Sequence, residues 1–142
     1  MMRLLVYSLT ALLLAGSTYG GNVEARLIRA SNEKAAPEEA VQDIAGKLKK
    51  VFGFEHYRQL GKDQKAIKRA DPISLNIGEG FTLFCHPKAA AGNQHELDVE
   101  LYSGKTLLVK QEKLTMRHKN VVFIRGPEVG STLLIVALTV TE

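Results

Sequence analysis

Hydrophobic spacing changes several times along the chain, and each change marks an element. Positions 4–15 are almost continuously apolar, preceded by Met1-Met2-Arg3 and followed by Gly16-Ser17-Thr18. From Asn22 to Ala36 the residues are polar or small with no period to follow, which predicts a flexible leader over 21–36. Pro37-Glu38-Glu39 suits a first helical turn, because proline presets the backbone there and carboxylates favour the positive end of the helix dipole. Val41, Ile44, Ala45, Leu48, Val51 and Phe52 then recur at helical spacing, and Gly53 can supply a left-handed cap. A helix is expected over about 38–52.

After Gly53 the period becomes that of a strand. A first strand is read at Tyr57–Ile67, broken at Gly61. Ile73, Leu75 and Ile77 alternate with polar neighbours, Gly78-Glu79-Gly80 interrupts, and Phe81, Leu83 and Cys85 resume the alternation. A three-residue loop pairs Ile77 with Phe81, Leu75 with Leu83 and Ile73 with Cys85 on one face. The same arithmetic, with Tyr102-Ser103-Gly104 as loop, sets Val99 opposite Leu107, Leu97 opposite Val109 and Glu96 opposite Lys110. Val121–Arg125 makes a further strand. Thr132–Val140 is apolar at both parities, as expected of a central strand covered on each side. About seven strands joined by hairpins predict a mainly β protein, an antiparallel, immunoglobulin-like β-sandwich with one N-terminal helix. A small barrel is the alternative.

The basic, apolar, small order of the first residues is the layout of a secretory signal peptide, and the apolar stretch is shorter than the roughly 20 residues that cross a bilayer. Cleavage is read after Gly20, with Ala25 as the alternative. No Cys stands at the cleavage point, which argues against lipid anchoring. Of 142 residues, 122 or 117 remain, enough for one domain over 37–142 with a core of its own. The single cysteine, Cys85, rules out an intramolecular disulfide, so stability must come from packing. The expected location is periplasmic or extracellular, and a disulfide-free exported domain fits a bacterial envelope better than an animal extracellular module.

Phe52-Gly53-Phe54, Tyr57, Leu60-Gly61, the glycine-turn hairpin, Gly126-Pro127, and Gly130 before Leu133-Leu134-Ile135 resemble small, signal-bearing bacterial envelope β-sandwich proteins of unassigned function. The resemblance spans about Pro37 to Val140. It implies location and fold and carries no catalytic residues.

Candidate chemistry changes this picture little. Cys85, His86, His95, Met116 and His118 are ligand types for copper or zinc, but their spacing matches no compact motif. The hairpin register sends Cys85 and His86 to opposite faces, so no metal site is assigned. Cys85 lacks a neighbouring base, no Gly-x-Ser-x-Gly elbow occurs, and Asp98 with Glu100 reads as a solvated strand face rather than a glycosidase pair. Gly78-x-Gly80 lacks the strand-to-helix setting of a phosphate loop. No catalytic residue and no cofactor is expected. Net charge is +4, and basic residues concentrate at Lys47, Lys49, Lys50, Arg58, Lys62, Lys65, Lys68 and Arg69, the candidate binding residues. The expected function is an exported, non-enzymatic binding or assembly module that meets protein partners or copies of itself. A protein binding an acidic polymer or anionic lipid surface is the first alternative, and a small hydrolase or metal-binding protein the second.

Overall fold

The computed structural model of the chain describes residues 20–142, so the basic and apolar start, Gly20 excepted, lies outside the described residues. Eight strands follow: β1 (Asn22–Ser31), β2 (His56–Ala66), β3 (Ile73–Gly78), β4 (Phe81–Ala91), β5 (Gln94–Ser103), β6 (Thr106–Arg117), β7 (Val121–Val129) and β8 (Thr132–Thr141). Between β1 and β2 lie a 3-10 turn, Glu39–Val41, and one helix, α1 (Ala45–Phe52). The first sheet runs β2-β1-β8-β7 and the second β3-β4-β5-β6, all antiparallel. Apart from the junction of β1 with β8, each strand pairs within its sheet only with its neighbour in sequence. The immunoglobulin order instead interleaves strands between the two sheets. Among the described residues no helix is long and apolar enough to cross a membrane.

The expected flexible leader is overturned, because Asn22–Ser31 is an inner strand of the first sheet, paired with β2 on one side and β8 on the other. Val23, Ala25 and Leu27 face the second sheet, while Ile28 and Ala30 face α1, and all five are fully buried. Small alanines interleaved with Glu24, Arg26 and Arg29 conceal the strand from a hydrophobicity reading. The expected seven strands become eight for the same reason, and the helix follows the first strand instead of opening the fold. That helix is also shorter than 38–52, with a turn at 42–44 separating Val41 from Ala45. At the break, Asp43 comes down onto Arg26 of β1 in a two-pronged ion pair, Nη1 to Oδ1 at 3.1 Å and Nη2 to Oδ2 at 3.0 Å. Arg26 is only 8% exposed, so this pair pins the helical layer to the sheet. Gly53 ends α1 in the left-handed conformation, with φ 77°, as its position predicts.

The molecule is thus three layers deep. One core lies between the sheets, built on Leu75, Ile77, Leu83, Leu97, Val99 and Leu101 against Leu27, Val136, Leu138 and Val140. A second core lies between the first sheet and α1, where Ile28, Leu133, Ile135 and Tyr57 meet Val41, Ile44 and Leu48. The double-sided burial of β8 matches its unbroken apolar run.

The first hairpin keeps the expected pairs Ile73 with Cys85 and Leu75 with Leu83. At its tip Gly78 rather than Ile77 pairs with Phe81. Glu79 and Gly80 form a two-residue turn, both at positive φ, and the ladder absorbs the difference as a bulge. The second hairpin corrects the expected register: Ser103 pairs with Thr106 around Gly104-Lys105, so Val109 meets Leu101, Gln111 meets Val99 and Lys110 meets Glu100. Further irregularities in β6 leave Lys113 at φ 55°, and bulges of this kind protect an edge strand from pairing with another chain.

At one seam the sheets come together. The backbone of β2 at Gly61 touches that of β3 at Ile77, and Asp63 Oδ2 accepts a hydrogen bond from Asn76 N at 3.0 Å. A Cβ at Gly61 would collide with the Ile77 carbonyl, backbone against backbone. Gly61→Ala is therefore expected to destabilise the fold by about 2–3 kcal/mol. Urea unfolding measures this directly, and an unchanged midpoint would mean that the seam opens freely.

Candidate functional site

Alternation on β4 and β5 decides what the second sheet shows to solvent. With Leu83, Cys85, Leu97, Val99 and Leu101 turned inward, Thr82, Phe84, His86, Glu96, Asp98, Glu100 and Tyr102 stand on the outer face. Among the described residues no helix covers this face, whereas α1 covers the outer face of the first sheet. Phe84 and Tyr102 meet edge to face with ring centroids 5.5 Å apart. Leu107, 44% exposed, is the cross-strand partner of Tyr102 and extends the apolar area. Thr82, Phe84, His86, Glu100, Tyr102, Gly104 and Lys105 line a shallow depression of about 460 Å³. His86 Nε2 lies 3.3 Å from Glu100 Oε1, a charge-assisted contact when the imidazole is protonated. An aromatic pair with a rim of mixed charge is the composition of a binding surface.

Asp98, beside this depression, has a structural task. Its Oδ1 accepts from the Lys113 amide at 2.9 Å, and Lys88 Nζ stands 3.5 Å from Oδ2. The Lys113 N–H first, then Lys88 and His86, hold its carboxyl below the usual aspartate range against a smaller opposing effect of burial. It therefore stabilises a bulge of β6, which sequence spacing does not reveal.

The candidate ligands separate as the register predicts. Cys85 is fully buried in the inter-sheet core and His86 stands on the opposite face. Burial pushes the Cys85 thiol up to about 12, so almost no thiolate exists at neutral pH. His95 and His118, 23 residues apart, do meet: their Nε2 atoms are 3.0 Å apart. His95 is 4% exposed, and burial, then the neighbouring His118, lowers its proton affinity. Among the described residues no three His, Cys, Asp or Glu side chains converge as a metal-binding group.

Seven of the eight basic candidates fall into two groups, with Lys62 between them on β2. The Tyr57 hydroxyl donates to the Leu48 carbonyl at 2.9 Å, which fixes the end of α1, and Lys47, Lys49 and Lys50 with it, at the Tyr57 end of β2. There Lys49 is 3.5 Å from Glu55 and Arg58 is 3.6 Å from Glu38, so acidic neighbours offset part of the charge. Lys65 lies seven residues beyond Arg58, about 23 Å along an extended strand. Lys65 and Lys68 line a cleft of about 500 Å³ with Asp71, Pro72, Ile73 and Ser74. Arg69 follows in the same loop at φ 54°, and Lys62 stands mid-strand, opposite Arg26.

Comparison with protein-family models, with curated proteins and with solved structures finds no match to this chain. The chemistry of its surfaces must therefore carry the functional reading.

Two outcomes follow. A thiol reagent applied to the folded protein should leave Cys85 unlabelled, and Cys85→Ala should cost only about 1 kcal/mol as a small cavity; rapid labelling would contradict its burial. On a polyanion column, Lys65→Glu with Lys68→Glu should reduce retention, and reduce its salt dependence, more than Lys49→Glu with Lys50→Glu. Neither pair should alter stability by more than roughly 0.5 kcal/mol per exposed change. Equal losses would join the two groups into one patch.

Proposed function

We propose that the protein is an exported, non-enzymatic binding or assembly module of the bacterial envelope or cell surface, working through the outer face of its second sheet. The observation that carries this reading is the asymmetry of the two outer faces. One is covered by α1 and holds a core; the other presents Phe84, Tyr102 and Leu107 to solvent within a ring of His86, Glu100 and Lys105. Aromatic anchors of this kind supply most of the free energy of protein interfaces, and a polar rim excludes water around them.

Export rests on the basic, apolar and small order of the first residues. The position of β1 favours one cleavage site over the other. A cut after Gly20 spares the strand that begins at Asn22. A cut after Ala25 would remove Val23 and Ala25 from the inter-sheet core. The absence of a disulfide partner for Cys85 agrees with a fold held by packing alone. A second reading, binding of an acidic polymer, is favoured by the Lys65 and Lys68 cleft.

The test has two parts. N-terminal sequencing of the protein recovered from the envelope or medium should read from Gly21; an intact Met1 on the folded protein would sink the export proposal. Tyr102→Ala and Phe84→Ala should each weaken partner capture by tenfold or more, about 1.4 kcal/mol or above, with little loss of stability. Undiminished capture by both variants would remove this face from the function.

A further inference from the structure

We propose that His95 and His118 form an acid-sensitive latch at one end of the sandwich, closed by a single hydrogen shared between the two rings and released when both rings are charged. The inward-facing row of β5 runs Leu101, Val99, Leu97 and then His95, so an imidazole stands where alternation calls for one more apolar side chain. His118 reaches it from the connection between β6 and β7. Their Nε2 atoms are 3.0 Å apart, the ring centroids 5.1 Å apart and the planes inclined by 30°, so the rings meet end to end and do not stack. That spacing holds one hydrogen: one Nε2 donates, and the other must offer its lone pair.

Acid removes that lone pair. One added proton can rest on Nδ1 of the donating ring and leaves the contact intact. A second sets N–H against N–H, with two positive charges facing each other across 3.0 Å. Little nearby offsets the repulsion. Glu142 Oε1 lies 3.4 Å from His118 Nδ1, but its side chain is 85% exposed and screened by water. The other elements present neutral groups: Ala90 of β4 and Met116 of β6 are the cross-strand partners of His95, and Val140 of β8 adjoins the connection. Arg117 and Lys119, flanking His118, are exposed, and Glu96 stands on the outer face of β5. Lys65, on the inner face of the first sheet, is two strands away from Val140, across Val23. Burial, then the neighbouring His118, holds His95 below the ordinary imidazole value. The stability this gives is therefore fully present above about pH 6.5 and is lost as the pH falls from there.

What the latch holds follows from the topology. β6 and β7 belong to different sheets and share no ladder, and residues 118–120 carry the chain from one sheet to the other. His118 N donates to the Asn93 carbonyl at 2.9 Å and Lys119 N to the Val140 carbonyl at 2.8 Å, tying this connection to the β4–β5 turn and to β8. Met116, 1% exposed, lies in the inter-sheet core beside the pair. Release of His118 therefore uncovers one end of that core while the ladders of both sheets stay in place.

Oxidation of Met116 by dilute peroxide, followed by mass spectrometry of its peptide, reads the opening directly. Rates are taken relative to the urea-unfolded chain, so that any effect of pH on the reagent cancels. Between about pH 7.5 and about pH 5 the relative rate should rise about fivefold or more, while circular dichroism remains that of the folded protein. His118→Gln places a non-titrating amide, with both a donor and an acceptor, at the same point, and its relative rate should be the same at both pH values. His95→Gln should behave likewise and serves if the first variant fails to fold. A Met116 rate in the parent that ignores pH would overturn the proposal. So would an acid response that persists in the glutamine variants, or one that appears only as the folded spectrum is lost.

Discussion

The pairing of β1 with β8 is the contact on which the architecture depends. It joins the start of the described fold to its end through a ladder that runs from Asn22 opposite Thr141 to Ala30 opposite Leu133. Every other pairing within the sheets is between strands adjacent in sequence, and any one hairpin could form without the rest. Remove the β1–β8 ladder and the first sheet separates into two unconnected pairs. Both cores then lose a wall, because these two strands contribute buried residues to each.

Covering both faces of β1 and β8 forces the rest of the layout. The inner faces are met by the second sheet, and the outer faces need a third layer, supplied by α1 and the 3-10 turn. Arg26 sits in the middle of that outer face and would be costly to bury alone. Asp43 answers it, although Asp43 itself remains largely open to water, so the pair is worth less than a fully buried one and more than an exposed one. The Tyr57 hydroxyl holds the other end of the layer, donating to Leu48 O and accepting from Phe54 N at 3.1 Å. The second sheet has only one face to bury, which is why its outer residues are polar and aromatic.

How much was legible in the sequence follows from side-chain size and spacing. Where large apolar residues alternate, as at Ile73, Leu75, Leu83 and Cys85, the register could be written down from the chain alone. In β8 the doubled apolar run announced burial on two faces. β1 was illegible because alanine carries little hydrophobic signal and because Arg26 and Arg29 look like surface residues until Asp43 and the neighbouring strands are in place. The second hairpin slipped because its turn falls at Gly104-Lys105, with Gly104 at φ 57°, and a bulge between Leu101 and Tyr102 then shifts the partners by one more, neither of which hydrophobic spacing reveals. The histidine pair was invisible for a related reason. His95 and His118 are distant in sequence, and their meeting depends on where the β6–β7 connection crosses between sheets. The basic residues, contiguous in sequence, were separated by the length of β2.

The β1–β8 ladder also has a kinetic meaning. A fold whose earliest strand waits for its latest has a high contact order, so its loop-closure entropy is met late and its folding is slow relative to helical chains of the same length. As the chain emerges from a ribosome or from any pore, β1 has no native partner on its β8 side until the last strand is out. The apolar surface of β1 stays unsatisfied throughout, and a chain held in that state remains threadable. Completion of the fold is thereby tied to the emergence of β8, the last strand to join the ladder.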